Sequence, residues 1–258
     1  MNDLVLSEKR GNVQWLTINR LERRNALNPD VMDGLREGII AARDNADIRA
    51  IVITGVGDKA FCAGADLQTN ATTFSFDCAD PRLPFAKLTR VVFGVDIPII
   101  ARVNGACMAG GMGVLGLCDL AVASDNAKFG MPEVKVGLFP MMILTTLKRI
   151  IPPRQMNELC MTGEAISAAE ALQMGLLNYV VPQAELDTKL DWLLNRIVDK
   201  SPTAIRRGKY AMRAVEDMTI EQTIAFTESQ VPLAASTQDF AEGIAAFNEK
   251  RSPVWTNR

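Results

Sequence analysis

Two short segments of this chain, Gly57 to Leu67 (GDKAFCAGADL) and Val103 to Asp119 (VNGACMAGGMGVLGLCD), concentrate small residues where strand-like runs give way to a turn or helix. Small side chains there let backbone N–H groups approach a ligand closely. The helix pattern that opens at Gly110 adds the partial positive charge of a helix start, which favours an oxygen that gains negative charge during reaction. Two such donors aimed at one point would hold a developing oxyanion without any side chain taking part.

Composition removes many alternatives. The chain of 258 residues contains no histidine, which excludes Ser-His-Asp and Cys-His machinery and nearly every zinc site, so no metal is expected. Its five cysteines (Cys62, Cys78, Cys107, Cys118, Cys160) are odd in number and lack CxxC spacing, a pattern of reduced cytosolic thiols rather than a disulfide framework. A net charge of −2 without a long basic run predicts no nucleic-acid partner. MNDLVLSEKR carries no signal pattern and no apolar run reaches the length of a membrane span, so a soluble cytoplasmic protein is expected.

The elements that must position these segments read as α/β. Leu4, Leu6 and then Val13, Trp15, Leu16 and Ile18 flank Arg10-Gly11-Asn12 and predict a hairpin. Pro29 starts a helix in which Val31, Met32, Leu35, Ile39 and Ala42 recur at helical spacing. Arg49 to Thr54 and Pro98 to Val103 are β-branched runs suited to buried strands. Short strands and helices then alternate, whereas from Gln183 onward the pattern is helical only. A boundary near residues 195 to 201, where Ser201-Pro202 punctuates the chain, divides residues 1–197 from residues 198–258.

Seven stretches together resemble the enoyl-CoA hydratase/isomerase family, the crotonase superfamily. They are RRNALN (Arg23 to Asn28), AFCAGADL, VNGACMAGGMG, CDLAVAS (Cys118 to Ser124), FGMPEVKVG (Phe129 to Gly137), MTGEAISAAEALQMGLLNYVV (Met161 to Val181) and AEGIAAFNEKRSPVW (Ala241 to Trp255). The match follows family order over essentially the whole chain. It implies a crotonase-like superhelix of repeated β-β-α turns, with residues 198–258 as a helical region that trimerises and completes the CoA site. It also implies an acyl-CoA substrate, no cofactor beyond the CoA of that substrate, and a homotrimer or dimer of trimers.

Carried over residue by residue, the resemblance assigns the oxyanion donors to the backbone N–H groups of Ala65 and Gly110. It sets Arg24, Ala26 and Leu27 against the adenosine part of CoA, Ala63, Asp66 and Leu67 along the pantetheine, and Lys250 near the CoA phosphates. The plainer reading of the small residues is tight packing of a turn, and that of Arg24 and Lys250 is surface charge.

Hydratases of the family are similar in carrying two glutamates that hold water. One matches Glu133, in Met131-Pro132-Glu133; at the other position this chain has Gly113. A single carboxylate therefore remains, and burial among Met108, Phe129, Met131 and Val134 would raise its pKa toward neutrality. The plainer reading of Glu133 is a loop carboxylate that caps a turn or pairs with Lys135. Phe139-Pro140-Met141-Met142-Ile143-Leu144-Thr145-Thr146-Leu147 stands where a glycine-rich stretch is usual, so the acyl pocket should differ from that of a generic hydratase. Gln68 to Pro84 reads as a mobile loop able to close over the acyl group, with Asp77 and Asp80 as weaker candidate acids. Three readings remain: a hydratase working through Glu133, an isomerase that moves a double bond with the same carboxylate, and a weakened CoA-binding scaffold, against which the intact oxyanion segments argue.

Overall fold

A computed structural model describes residues 3–67 and 78–258. The hairpin forms as the sequence predicts: strand β1 (Val5–Arg10) pairs antiparallel with β2 (Val13–Ile18). Beyond its buried Val5, β1 is exposed and ends Glu8-Lys9-Arg10, and these charges protect a sheet edge from further pairing. Helix α1 (Pro29–Arg43) starts at the proline, and the Asn28 side chain accepts a hydrogen bond from the Val31 N–H as its cap.

Two sheets then grow side by side. Strands β3 (Ala50–Gly55), β5 (Ile99–Val103), β7 (Leu120–Ser124) and β10 (Tyr179–Val181) extend the hairpin into a six-stranded sheet, all four parallel to β2. Strands β4 (Ala60–Cys62), β6 (Ala106–Met108) and β8 (Lys128–Gly130) form a second parallel set, closed by the antiparallel β9 (Ile166–Ser167). The chain alternates between the sheets, β3 to β4, β5 to β6 and β7 to β8, advancing one place each time. Helix α2 (Pro84–Phe93) follows the first pair and α3 (Gly110–Gly116) the second. This is the expected superhelix of β-β-α turns.

Strand alternation splits the core in two. Leu16, Ile18, Ile51, Ile53, Ile99, Ala101 and Val103 face one apolar cluster together with α1, α2 and α3. Val13, Trp15, Ala50, Val52, Ile100 and Val122 face the other, where Leu186, Leu190, Leu193 and Leu194 of α7 (Leu186–Val198) cover them. Between these helices come α4 (Leu144–Leu147), α5 (Pro153–Thr162) and α6 (Ala168–Gln173), and the C-terminal region adds α8 (Pro202–Ala214), α9 (Ile220–Ala235) and α10 (Gln238–Glu249). Helix α8 docks on the core through Lys209, whose buried ammonium lies 2.6 Å from both the Ile97 carbonyl and the Asp119 carboxylate. Among the described residues no helix is long and apolar enough to cross a membrane.

Candidate functional site

Because β4, β6 and β8 are parallel neighbours, the segments leaving their carboxyl ends emerge together. Ala63 to Asp66 follow β4, Ala109 and Gly110 follow β6, and Met131 to Glu133 follow β8. The Ala109 N–H donates to the Gly130 carbonyl at 2.8 Å, tying the second segment to the third. The first and second also pack closely: a Cβ on Gly110 would stand 3.6 Å from the Ala65 nitrogen. Neither the Ala65 nor the Gly110 N–H donates a hydrogen bond among the described residues.

Buried amide and ionic groups hold this geometry. The Asn104 side chain donates to the carbonyls of Gly55 and Gly57, and the Asn25 side chain to that of Ala60, fixing the turn into β4. Leu27 bridges Ala65, with the Leu27 N–H on the Gly64 carbonyl and the Asp66 N–H on the Leu27 carbonyl. The Asp66 carboxylate turns inward to Arg20 at 2.8 Å in a buried pair. Asp66 thus ties two segments together through its side chain, and only its backbone remains to flank a ligand. Sequence reading missed Arg20, Asn25 and Asn104, because each acts through backbone carbonyls or a partner distant in the chain.

Of the other residues assigned by resemblance, Ala26 and Leu27 are buried, Ala63 is half-buried, and Arg24 and Leu67 are exposed. Arg24 adopts φ +50, and its carbonyl accepts from the Ala63 N–H. Lys250 is exposed with φ +54 and ends α10; its ammonium makes no hydrogen bond or ion pair among the described residues.

Glu133 lies in a 3₁₀ turn, Pro132–Val136, and is half-buried. Its Oε2 is buried without a hydrogen-bond partner. Desolvation raises its pKa, opposed by a hydrogen bond from its own backbone N–H. The pairing with Lys135 does not form, since the Lys135 ammonium reaches Glu164 instead at 2.7 Å. Asp80 is spoken for by Lys87 and Arg82, which hold its carboxyl far below the usual range, so it is no reservoir of protons at neutrality. Gln68 to Asp77, including Asp77 itself and most of the expected loop, lies outside the described residues.

All five cysteines are free. Burial pushes the Cys62 thiol up to about 12 and Cys107 well above its ordinary value, so neither supplies a thiolate beside the site. No cluster of metal-ligating side chains occurs among the described residues.

Gly113 lies one turn into α3 and is buried. A Cβ there would come within 2.6 Å of the Phe85 ring Cζ and closer to Ile143 Cγ2. The position is therefore filled by apolar side chains rather than left open for a carboxylate.

The enoyl-CoA hydratase/isomerase family profile matches residues 8–258. The chain belongs to this family. It is 35% identical to the carnitinyl-CoA dehydratase of Escherichia coli O157:H7 across 100% of both chains. Among solved structures, an enoyl-CoA hydratase from Mycobacterium smegmatis is similar with a TM-score of 0.91 and 30% identity, over 98% of this chain and 99% of that one. Human enoyl-CoA hydratase domain-containing protein 3 has the same TM-score and identity, over 98% of this chain and 100% of that one. The family member described here thus has the crotonase fold read from its sequence.

Proposed function

We propose that this enzyme interconverts a 3-hydroxyacyl-CoA and the corresponding 2-enoyl-CoA, with Glu133 as its one acid/base. The observation that carries the reading is that the segments following adjacent parallel strands bear an unpartnered carboxylate oxygen and two undonated N–H groups. In dehydration Glu133 takes the proton from C2, and the electron pair moves onto the thioester oxygen, which the N–H groups of Ala65 and Gly110 hold. The same proton then goes to the C3 hydroxyl. As the C–O bond breaks and water leaves, the enolate pair forms the C2–C3 double bond and Glu133 is ionised again. Hydration is the reverse. One carboxylate suffices because it is base in one half and acid in the other.

The resemblance supplies the remaining assignments. Arg24, Ala26, Leu27, Ala63, the Asp66 backbone, Leu67 and Lys250 receive the CoA portion, and no other cofactor is required. Self-association into a trimer or dimer of trimers is supported by α9, which has no buried residue and exposes Ile220, Ile224, Val231 and Leu233. Light scattering on the purified protein tests that assembly.

A second reading is favoured by the apolar filling at Gly113. With no second carboxylate to hold water, Glu133 could return the proton at C4 and migrate the double bond. Crotonyl-CoA and a 3-enoyl-CoA, each followed for water addition and for double-bond migration, separate the two. Hydration of crotonyl-CoA that disappears in Glu133→Gln supports the first, and migration without hydration supports the second.

A further inference from the structure

We infer that Phe85 and Ile143 are the specificity-determining pair of this site, forming an apolar wall that selects uncharged alkyl-bearing acyl groups. The inference rests on the proposed thioester chemistry. Residues three apart on a helix share a face, so Gly113 stands one turn, roughly 5 Å, along the same side of α3 as Gly110. The direction in which a side chain at 113 would project is taken by Phe85, from the first turn of α2, and Ile143, from the cap of α4. Both are buried, at 8% and 4% exposure. Three elements from distant parts of the sequence thus converge on one point and present only carbon to it.

The wall has two consequences. It offers no hydrogen bond or charge to an acyl substituent, so a cationic group lodged against it would lose its water and gain no partner from these two side chains. It also meets alkyl substituents with close van der Waals contact, where one methylene changes discrimination by roughly 10 to 200-fold. Substituents at C3 should therefore be read by the volumes of residues 85 and 143.

Steady-state kcat/KM for crotonyl-CoA, 3-methylcrotonyl-CoA and crotonobetainyl-CoA, which carries a trimethylammonium, tests this in the wild type, Phe85→Ala, Phe85→Leu and Ile143→Val. The wild type should favour the better uncharged thioester over the cationic one by about tenfold or more. Shortening the wall should change the ratio between the straight and methyl-branched thioesters by about tenfold in Phe85→Ala, with smaller shifts in the two conservative variants, which guard against simple misfolding of the first. Equal scaling of all three thioesters in every folded variant, or preference for the cationic one, overturns the wall as a selector. A folded wild type that neither turns over nor binds any of the three overturns the thioester reading itself, and the wall with it.

Discussion

Gly64 faces Ala109 so closely that a Cβ on residue 64 would stand 2.6 Å from the Ala109 Cβ. Gly64 adopts φ +100, where an L side chain is strained whatever the space. Ala109 itself sits at φ +49, a strained value for a residue with a side chain. A positive-φ glycine and a strained alanine are thus held side by side immediately before the two candidate donors, Ala65 and Gly110. The backbone amide of Ala109 and the bridge between Leu27 and Ala65 hold them in place.

Gly64→Ala should accordingly separate the donors. A displacement on the order of 1 Å in such a site is enough for a roughly 10²-fold loss of turnover. Strain at a positive φ adds about 1 to 3 kcal/mol of destabilisation. Thermal melting and kcat on the active thioester check both. A variant with the wild-type melting point and rate would contradict the close approach as the source of donor alignment.

Glu133→Gln should keep acyl-CoA binding while lowering turnover by roughly 10² to 10⁴. Its pH signature has a definite sign. A carboxyl whose pKa is raised by burial holds its proton in the folded state over a range where the unfolded chain has lost it, so stability falls as pH rises from the ordinary glutamate value of 4.5 through the folded value. Above that window the ionised Glu133 lowers stability, and Glu133→Gln should gain stability there and little below it. Denaturant unfolding of both proteins at acidic and neutral pH measures the difference. In the step where Glu133 acts as base, kcat/KM should fall on acidification through a pKa above the ordinary glutamate range.

Lys209→Met removes a buried ammonium while keeping most of its stem. The Ile97 carbonyl loses its 2.6 Å donor, and Asp119 keeps the Ile99 N–H at 2.7 Å and Arg213 at 3.6 Å. Leaving those groups short of a partner should cost about 1 to 3 kcal/mol. Because Lys209 joins α8 to the core, proteolysis should reach residues 198–258 sooner in the variant. Unchanged urea unfolding and unchanged cleavage would show that other contacts hold the C-terminal helices.

The elements with strong local signals were legible before the structure. Pro29 with its Asn28 cap, the hairpin around Gly11, and the helical character of the chain after Gln183 all carry their causes in adjacent residues. The order of small residues around Ala65 and Gly110 also indicated where backbone would approach backbone. What could not be read was the pairing of distant side chains. Nothing near Asp66 in sequence announces Arg20, and Lys135 gives no sign that it will choose Glu164 over Glu133. Gly113 is the sharpest example: its missing side chain was visible, but Phe85 and Ile143, which fill the space, lie on other elements.

That filling changes what a second carboxylate would do. From sequence, Gly113→Glu should place a glutamate opposite Glu133 and raise hydration of a short 2-enoyl-CoA. In the folded protein its Cβ would collide with Phe85 and Ile143, so the single substitution should overpack the core by about 1 to 3 kcal/mol, with a further penalty for a buried charge. Truncating the ring removes the Phe85 part of the collision and leaves Ile143 Cγ2, so Gly113→Glu with Phe85→Ala should remain strained yet be more stable than the sum of the two single losses. That non-additivity, roughly 0.5 to 3 kcal/mol for residues in contact, is measured by a double-mutant cycle in denaturant. The double variant should also raise the ratio of hydration to double-bond migration above that of Phe85→Ala alone, because water is then held between two carboxylates. Strict additivity of stability would contradict the contact, and an unchanged ratio in a stable double variant would show that hydration here needs Glu133 alone.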